Sequence, residues 1–363
     1  MPHALPVRRA ALLSSGPPIS LKVLYCLQAL GIPTDVIDVG SSTSMARFSR
    51  YRSRYLRITG AQKGQAASTD DVERALRHHV EAHGVDAIIA GDIEATALLH
   101  AVRSRFADRL CFPTSDGETL ELLDDKWRFQ QFMVAHGLPC PRSVLLESAD
   151  DAEAAVAALR YPVVAKPLHG ESSHGVVKLA DAAALAAHLG SGSKYARPPL
   201  LVQEYAPGQD ADISFLAHEG EIVSHVLHSR RDGCVLSFMR NDAVLDIARR
   251  IARASRYSGV ANVDVRIDGE RVTVLECNPR FWYTLQASLW RGVNFVEAGL
   301  AVAAGTAWAH AVPADGSYTL HGCLVRRLVR QPLFWRLVPA YNRHGLFQAL
   351  SDPMPFIAGR FAA

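Results

Sequence analysis

The chain has 363 residues, a net charge of +3, 49% hydrophobic and 21% charged residues, and a mean hydropathy of +0.05. That length is too great for one simple core and points to two or three lobes, while the composition excludes a largely disordered chain. No apolar run reaches the ~18–20 residues of a membrane span, the stretch after Arg8-Arg9 is too short for a signal peptide, and mixed charges near neutrality leave no nucleic-acid footprint.

In chain order, Ala10 to Leu13 reads as a strand, Ile19 to Leu30 as a helix stopped by Gly31-Ile32-Pro33, and Asp35 to Val39 as the next strand. A helix over Thr69 to His83 and a strand over Ala87 to Ala90 follow. Such alternation implies a parallel sheet covered by helices, so a Rossmann-like lobe is placed at 1–112. Asp125 reads as the N-cap of a helix from Lys126 to Ala135 that Gly137 closes. Next come a strand (Ser143 to Leu146), a helix (Asp150 to Leu159), strands over Pro162 to Lys166 and Val176 to Leu179, and a helix from Ala182 to Leu189. Strands then dominate: Leu200 to Tyr205, Asp212 to His218, Glu221 to His228, Asn262 to Ile267 and Val272 to Cys277, interrupted by a helix from Asp242 to Ser255. The tail beyond residue 312 carries Arg, Pro and Trp without a repeat.

Six cysteines are scattered with no C-x-x-C pair, which reads as reduced thiols and a cytoplasmic location. Only six of the 39 basic residues are lysine (Lys22, Lys63, Lys126, Lys166, Lys178 and Lys194), so lysine marks places where a compact point charge is wanted. There is no G-x-G-x-x-G after the first strand and no G-x-S-x-G elbow, and Val176-Val177 occupies the Lys-Ser/Thr position of a P-loop. His79 and His83 are four apart on a helix but read as a solvated face, and the basic, aromatic run Arg47 to Tyr55 reads as a solvated loop or an anion contact.

Five features remain in order. Lys126 opens a helix, and Lys166 ends an apolar strand. The loop Pro167 to Gly175, with Ser172 and Ser173, offers backbone N–H groups and hydroxyls of the kind that cradle phosphate. The strand through Gln203, Glu204 and Tyr205 runs into the turn Ala206-Pro207-Gly208, with Asp210 just beyond. Finally, Asp264 lies on one strand, while Glu276 and Asn278 share a face of the next. Those three side chains supply oxygen-only ligands, which suit Mg²⁺, and two carboxylates among apolar neighbours are costly without a cation.

This ordered set resembles the ATP-grasp superfamily of carboxylate–amine and carboxylate–thiol ligases, over about residues 1–310. The Lys166-Pro167 and Ser172-Ser173-x-Gly175 segment is similar to the D-alanine–D-alanine ligase loop, and Glu276-x-Asn278-Pro279-Arg280 to the ending in the carbamoyl-phosphate synthase large subunit. Biotin carboxylase is another member. The resemblance implies an α/β, ATP-grasp fold: an N-terminal Rossmann-like lobe and two α+β subdomains clasping ATP. It implies boundaries of 1–112, 113–310 (with a lid subdomain at about 142–199) and a C-terminal extension at 311–363. It implies that Lys126 and Lys166 contact ATP phosphates, that Ser172, Ser173 and Gly175 sit on a lid loop, that Glu204 and Ala206 meet adenine through backbone atoms with Gln203 beside them, and that Asp210 holds ribose. Asp264, Glu276 and Asn278 would bind one or two Mg²⁺ ions, with Mn²⁺ able to replace them. Arg280 would steady the transferred phosphoryl group or the acyl phosphate, with Lys166 and Arg240 as further catalytic cations. Glu171 and His174 depart from the small residues of many members. The implied activity is amide- or peptide-bond formation through an acyl phosphate, on small-molecule carboxylate and amine substrates that are amino acids or small carboxylic acids of specialised biosynthesis, by a cytoplasmic protein that acts without nucleic acid or membrane and is compatible with a homodimer. The alternatives are a carboxylate-phosphorylating or carbamoyl-phosphate-type enzyme and a non-catalytic ATP sensor.

Overall fold

Apolar patterning sorts the chain into three sheets. The structure, a computed structural model, describes residues 5–16, 18–40, 44–58, 68–170, 174–231, 233–306, 308 and 315–361.

The first sheet contains β1 (Ala10–Ser14), β2 (Thr34–Asp38), β3 (Arg52–Arg57), β4 (Ala87–Ala90) and β5 (Leu110–Cys111), in the order β3-β2-β1-β4-β5. All its pairings are parallel. Helices α1 (Ile19–Ala29), α2 (Thr69–His83) and α3 (Ile93–Val102) make the crossovers. Strands β1, β2 and β4 are buried at every residue, as a parallel sheet covered on both faces requires.

Two readings of this lobe are corrected. Arg52–Arg57 is the edge strand β3, not part of a solvated loop. Its polar residues have buried partners inside the sheet: Arg54 sits 3.7 Å from Asp35, and the Tyr55 hydroxyl donates to Asp38 at 2.7 Å. His79 is not on a solvated face either. It is 7% exposed and lies 2.9 Å from the buried Asp35, which Arg9 also approaches at 3.0 Å.

Helices α4 (Gly117–Asp124) and α5 (Lys126–Ala135) lead into the second sheet. Asp125 caps α5, accepting from the N–H groups of Trp127 and Arg128. The sheet contains β6 (Ser143–Leu146), β7 (Val163–Pro167), β8 (Val177–Leu179) and β9 (Leu200–Glu204), in the order β6-β9-β7-β8, with α6 (Ala152–Val156) and α7 (Ala182–Leu189) on one face.

The third sheet contains β10 (Gln209–His218), β11 (Glu221–Arg231), β12 (Val235–Met239), β13 (Gly259–Asp268), β14 (Arg271–Asn278) and β15 (Gly316–Thr319), in the antiparallel order β14-β13-β10-β11-β12-β15. Its apolar face (Ile213, Phe215, Val263, Val265) packs on α8 (Asp242–Ala254), which buries Val244, Ile247, Ala248 and Ile251. That spacing is one helical stripe.

Helices α9 (Leu285–Trp290) and α10 (Phe295–Ala303) follow. The tail then adds the edge strand β15 and helices α11 (His321–Arg330), α12 (Ala340–Ser351) and α13 (Met354–Phe361). It returns to the first lobe, where buried Asp352 accepts from the Tyr25 hydroxyl at 3.1 Å and the Arg50 N–H at 2.9 Å. The expectation of six reduced thiols is also corrected: Cys234 and Cys323 form a disulfide, while Cys26, Cys111, Cys140 and Cys277 are free. The two partners lie 89 residues apart, a separation with no motif to read. Among the described residues, no helix is long and apolar enough to cross a membrane.

Candidate active site

Side chains alternate along a strand, so the third sheet has a second, polar face. Asp212 lies opposite Asp264, Ser214 opposite Asn262, Asp264 opposite Glu276, and Asn262 opposite Asn278. His228 on β11 is level with Asp212. This face and the second sheet enclose a cleft of about 760 Å³, within the usual range for a small-molecule site.

From the second sheet, Lys166 enters the cleft on the face shared with Val164 and Gln203. Its Nζ donates to the Glu276 carboxylate at 3.3 Å and to the Leu275 carbonyl at 3.1 Å. That carbonyl is available because β14 bulges there: Asp264 pairs with Glu276, but Val265 pairs with Val274, skipping Leu275. Bulges of this kind re-aim groups beside functional sites. Lys126, 7% exposed, donates to the Gly170 carbonyl at 3.2 Å and lies 3.9 Å from Glu276. Two buried ammonium groups from different elements thus converge on one carboxylate.

The charges respond to this packing. Burial pushes the Lys166 ammonium down, and Glu276 opposes that shift. Burial would raise the Glu276 carboxyl, but Lys166 and then Lys126 hold it below the usual carboxylate range. Asp264 is held well above that range by burial first, then by the charges of Asp212 and Glu276. The Asn262 amide donates to Asp264 at 2.8 Å, and its own carbonyl accepts from Ser214 at 2.7 Å. Asp264, Glu276 and Asn278 are a hard, oxygen-only donor set, and the crowded carboxylates Asp264 and Asp212 are what a divalent cation relieves. The site therefore fits Mg²⁺.

Other expected residues fall into place differently. Arg280 lines the cleft, with its guanidinium donating to the Asn278 side-chain amide oxygen, Oδ1, at 3.1 Å. Gln203 is buried and donates to the Ser143 hydroxyl at 3.1 Å. Glu204 sits on the opposite face of β9, where Arg160 pairs with its carboxylate at 3.2 Å; Glu204 and Ala206 still border the cleft. Asp210 is at the rim, 2.6 Å from Arg266. Gly175 has φ +77°, and a Cβ there would meet the Tyr195 side chain at 2.7–2.9 Å, so its backbone and its contact both require glycine. Ser172 and Ser173 lie outside the described residues.

Arg240 does not join the group. Arg240 follows Met239, which pairs with Leu227 on β11; it is exposed and is not among the residues that line the cleft. Arg230 lines the cleft instead. The Ser14-Ser15-Gly16 and Gly91-Asp92 loops bond to one another: Asp92 accepts from the Ser15 N–H at 2.8 Å and from the Ser20 hydroxyl at 3.2 Å. Phe281 and Trp282 are core residues, Trp282 packing edge-on against Phe295 at 4.8 Å, whereas Tyr283 is exposed at the cleft.

Residues not singled out from the sequence include Asp212, Asn262, His228 and Thr284. His228 is 1% exposed, 3.4 Å from Asp212 and 3.2 Å from the Thr284 hydroxyl. Burial lowers its pKa, and Asp212 opposes this. For Asp212 and Asn262 the available signal was the even-numbered alternation of polar residues along β10 and β13; β11, where His225 and Ser229 break it, and Thr284 carried none.

A family model described as "ATP-grasp in the biosynthetic pathway with Ter operon" matches residues 196–322. A D-alanine–D-alanine ligase from Stutzerimonas stutzeri is 26% identical over 274 residues, covering 69% of this chain and 76% of that protein. A carbamoyl phosphate synthase large chain from Acidobacterium capsulatum is 26% identical over 223 residues, covering 57% of this chain but only 20% of that protein, so the chain spans about a fifth of its length. Among solved structures, an ADP complex of N5-carboxyaminoimidazole ribonucleotide synthetase superposes with a TM-score of 0.68 at 13% identity, covering 90% of this chain and 85% of that one. At that identity the likeness is one of fold.

Proposed function

From the likeness of this chain to ATP-grasp proteins, we propose that it is a member of that superfamily and an ADP-forming carboxylate–amine ligase. The observation that carries the reading is the convergence of Lys166 and Lys126 on Glu276, beside Asp264 and Asn278, in a cleft between two sheets.

A carboxylate and a triphosphate repel, so their encounter needs fixed cations. In the proposed reaction a substrate carboxylate oxygen attacks the γ-phosphorus of ATP. The bond to the β-phosphate oxygen breaks, leaving an acyl phosphate and ADP. An amine then attacks the acyl carbon and loses a proton; the amide forms and inorganic phosphate leaves. Lys126 and Lys166 hold the phosphate oxygens, and Arg280 steadies the transferred group. Gln203, Glu204 and Ala206 border the base end of the nucleotide, and Asp210 lies where ribose would reach the rim. Asp264, Glu276 and Asn278 would hold one or two Mg²⁺ ions, which neutralise phosphate charge when bound. The protein's contribution is positioning and charge neutralisation. The acyl phosphate must be kept from water, a task we assign to the loop that carries Gly175, Ser172 and Ser173.

The test is ADP release with ATP and Mg²⁺ against pools of amino acids and small carboxylic acids. Wild-type protein should release ADP only with productive pools. Lys166→Ala and Glu276→Ala should each lose on the order of 10²-fold or more, the scale of removing one electrostatic stabiliser. Failure of the folded protein to bind ATP would overturn the reading, as would pool-dependent ADP release that both variants retain.

A further inference from the structure

A second cavity, of about 810 Å³, adjoins the cleft, and Tyr283 and Thr284 line both. The tail builds most of its wall: Val325 from α11, Leu346 and Leu350 from α12, and Phe356 and Ile357 from α13. Val325, Leu350, Phe356 and Ile357 remain 38–59% exposed although they border one concavity. A concave apolar lining with a few fixed polar groups is how small-molecule sites are built.

Lys22 of α1 supplies such a group. Its Nζ donates to the Gln286 side-chain oxygen at 2.9 Å. The Gln286 amide in turn donates to Gln348 at 2.9 Å, and Gln348 donates to Gln28 at 2.7 Å and to the Tyr25 carbonyl at 3.2 Å. A chain of amides thus fixes the ammonium in place. Among the described residues, no aspartate or glutamate lines the cavity and Lys22 has no ion-pair partner. A partly buried cation without a counter-ion favours an anionic ligand. The same lack of carboxylates gives a ligand ammonium no partner, which favours a neutral amine, the nucleophilic form.

We propose that this cavity binds the amine substrate, that this substrate is an apolar amino acid, and that Lys22 holds its carboxylate while the amine faces the cleft past Thr284. The proposal rests on the ligase reading for the word "substrate" but not for the binding. The same lysine is one of the six that the arginine-rich sequence retains.

Titration calorimetry without ATP tests it with three probes sharing one ring: phenylalanine, 3-phenylpropionate and 2-phenylethylamine. Phenylalanine and 3-phenylpropionate should bind, and 2-phenylethylamine at least about tenfold more weakly, the scale of losing a charge-assisted hydrogen bond. Lys22→Met, which keeps the apolar length, should erase that preference. Val325→Trp, which fills the cavity from an exposed position, should weaken both acids. Equal binding of 2-phenylethylamine, or acid binding unchanged in a folded Lys22→Met variant, overturns the proposal. Binding of 3-phenylpropionate with exclusion of phenylalanine overturns the assignment to an amine substrate. Lys22-dependent binding without any ADP release would sink the ligase reading and leave the pocket standing. Amino-acid-dependent ADP release indifferent to Lys22→Met and Val325→Trp would do the reverse.

Discussion

Lys166 and Lys22 are both poorly solvated ammonium groups, and their neighbours separate them. Lys166 has a carboxylate at 3.3 Å, whereas Lys22 has a neutral amide oxygen. Burial pushes Lys22 down from 10.5 to about 8, and the nearby Cys26 raises it slightly. The groups facing Lys22 are Tyr25 and Cys26 on its own helix, Gln286 on α9, His321 on α11 and Phe356 on α13. Burial, and then Lys22 itself, lower His321 to about 4, so Lys22 is the charge that changes near neutrality. Because the folded value lies below the unfolded one, the folded chain holds fewer protons than the unfolded chain between about pH 8 and 10.5. The penalty of burying this cation is therefore full below about 8 and is relieved as pH rises toward 10.5. Anion binding has the opposite sign, since it needs the ammonium. Affinity for 3-phenylpropionate should be level below about pH 7 and decline once pH passes about 8, approaching tenfold per unit. Calorimetry from pH 6 to 9.5 should show that slope in the wild type and a flat line in Lys22→Met (both ranges are about those set by an 8-centred titration).

Elements differ in how plainly they announce themselves. Helices α2 and α5 and strands β4 and β6 stand where capping residues and apolar runs place them. Strand β3 does not, because its Arg-Ser-Arg-Tyr-Leu-Arg has neither period; it pairs with β2 and sets Arg54 against the buried Asp35 and the Tyr55 hydroxyl against the buried Asp38. Asp212 was hidden for a related reason: only the β10–β13 register sets it opposite Asp264. Lys166, Asp264, Glu276 and Asn278 were legible because each ends or interrupts an apolar run, and Lys126 because it opens a capped helix. Helix α12 is another element whose role only packing reveals. A Cβ on Gly345 would press into the Tyr318 hydroxyl, with His321 Nε2 at 2.7 Å and the Trp290 ring at 2.8 Å. Alanine gains about 1 kcal/mol of helix propensity over glycine, but overpacking costs ~1–3 kcal/mol. Crowding should win because Tyr318 and His321 are a hydrogen-bonded pair with little room to shift. Gly345→Ala should therefore lower Tm by calorimetry; an unchanged or higher Tm would mean that α12 is free to move away from the sheet.

At the scale of the whole molecule, the tail completes the other parts. It provides the edge strand β15, ties into α1 and the segment before β3 through Asp352, and lines the second cavity. The Cys234–Cys323 disulfide fastens α11 to the turn before β12. A cross-link closing a loop of this length typically contributes ~2–4 kcal/mol, chiefly by restricting the unfolded chain. Dithiothreitol should lower Tm in the wild type and leave a Cys234→Ser/Cys323→Ser double variant, already less stable, unmoved. An equal response of both proteins would place the reductant's effect elsewhere.

Tyr283 and Thr284 are two adjacent residues with a cavity on either side. A partition this thin makes the two chambers poor strangers to each other: any adjustment of these side chains by a guest in one changes the shape offered to a guest in the other. Thermodynamic reciprocity then governs the pair, since whatever factor nucleotide applies to the affinity of the apolar ligand, that ligand must apply to nucleotide. Substrate selection and ATP capture would thus be a single equilibrium, set by one short piece of chain between β14 and α9.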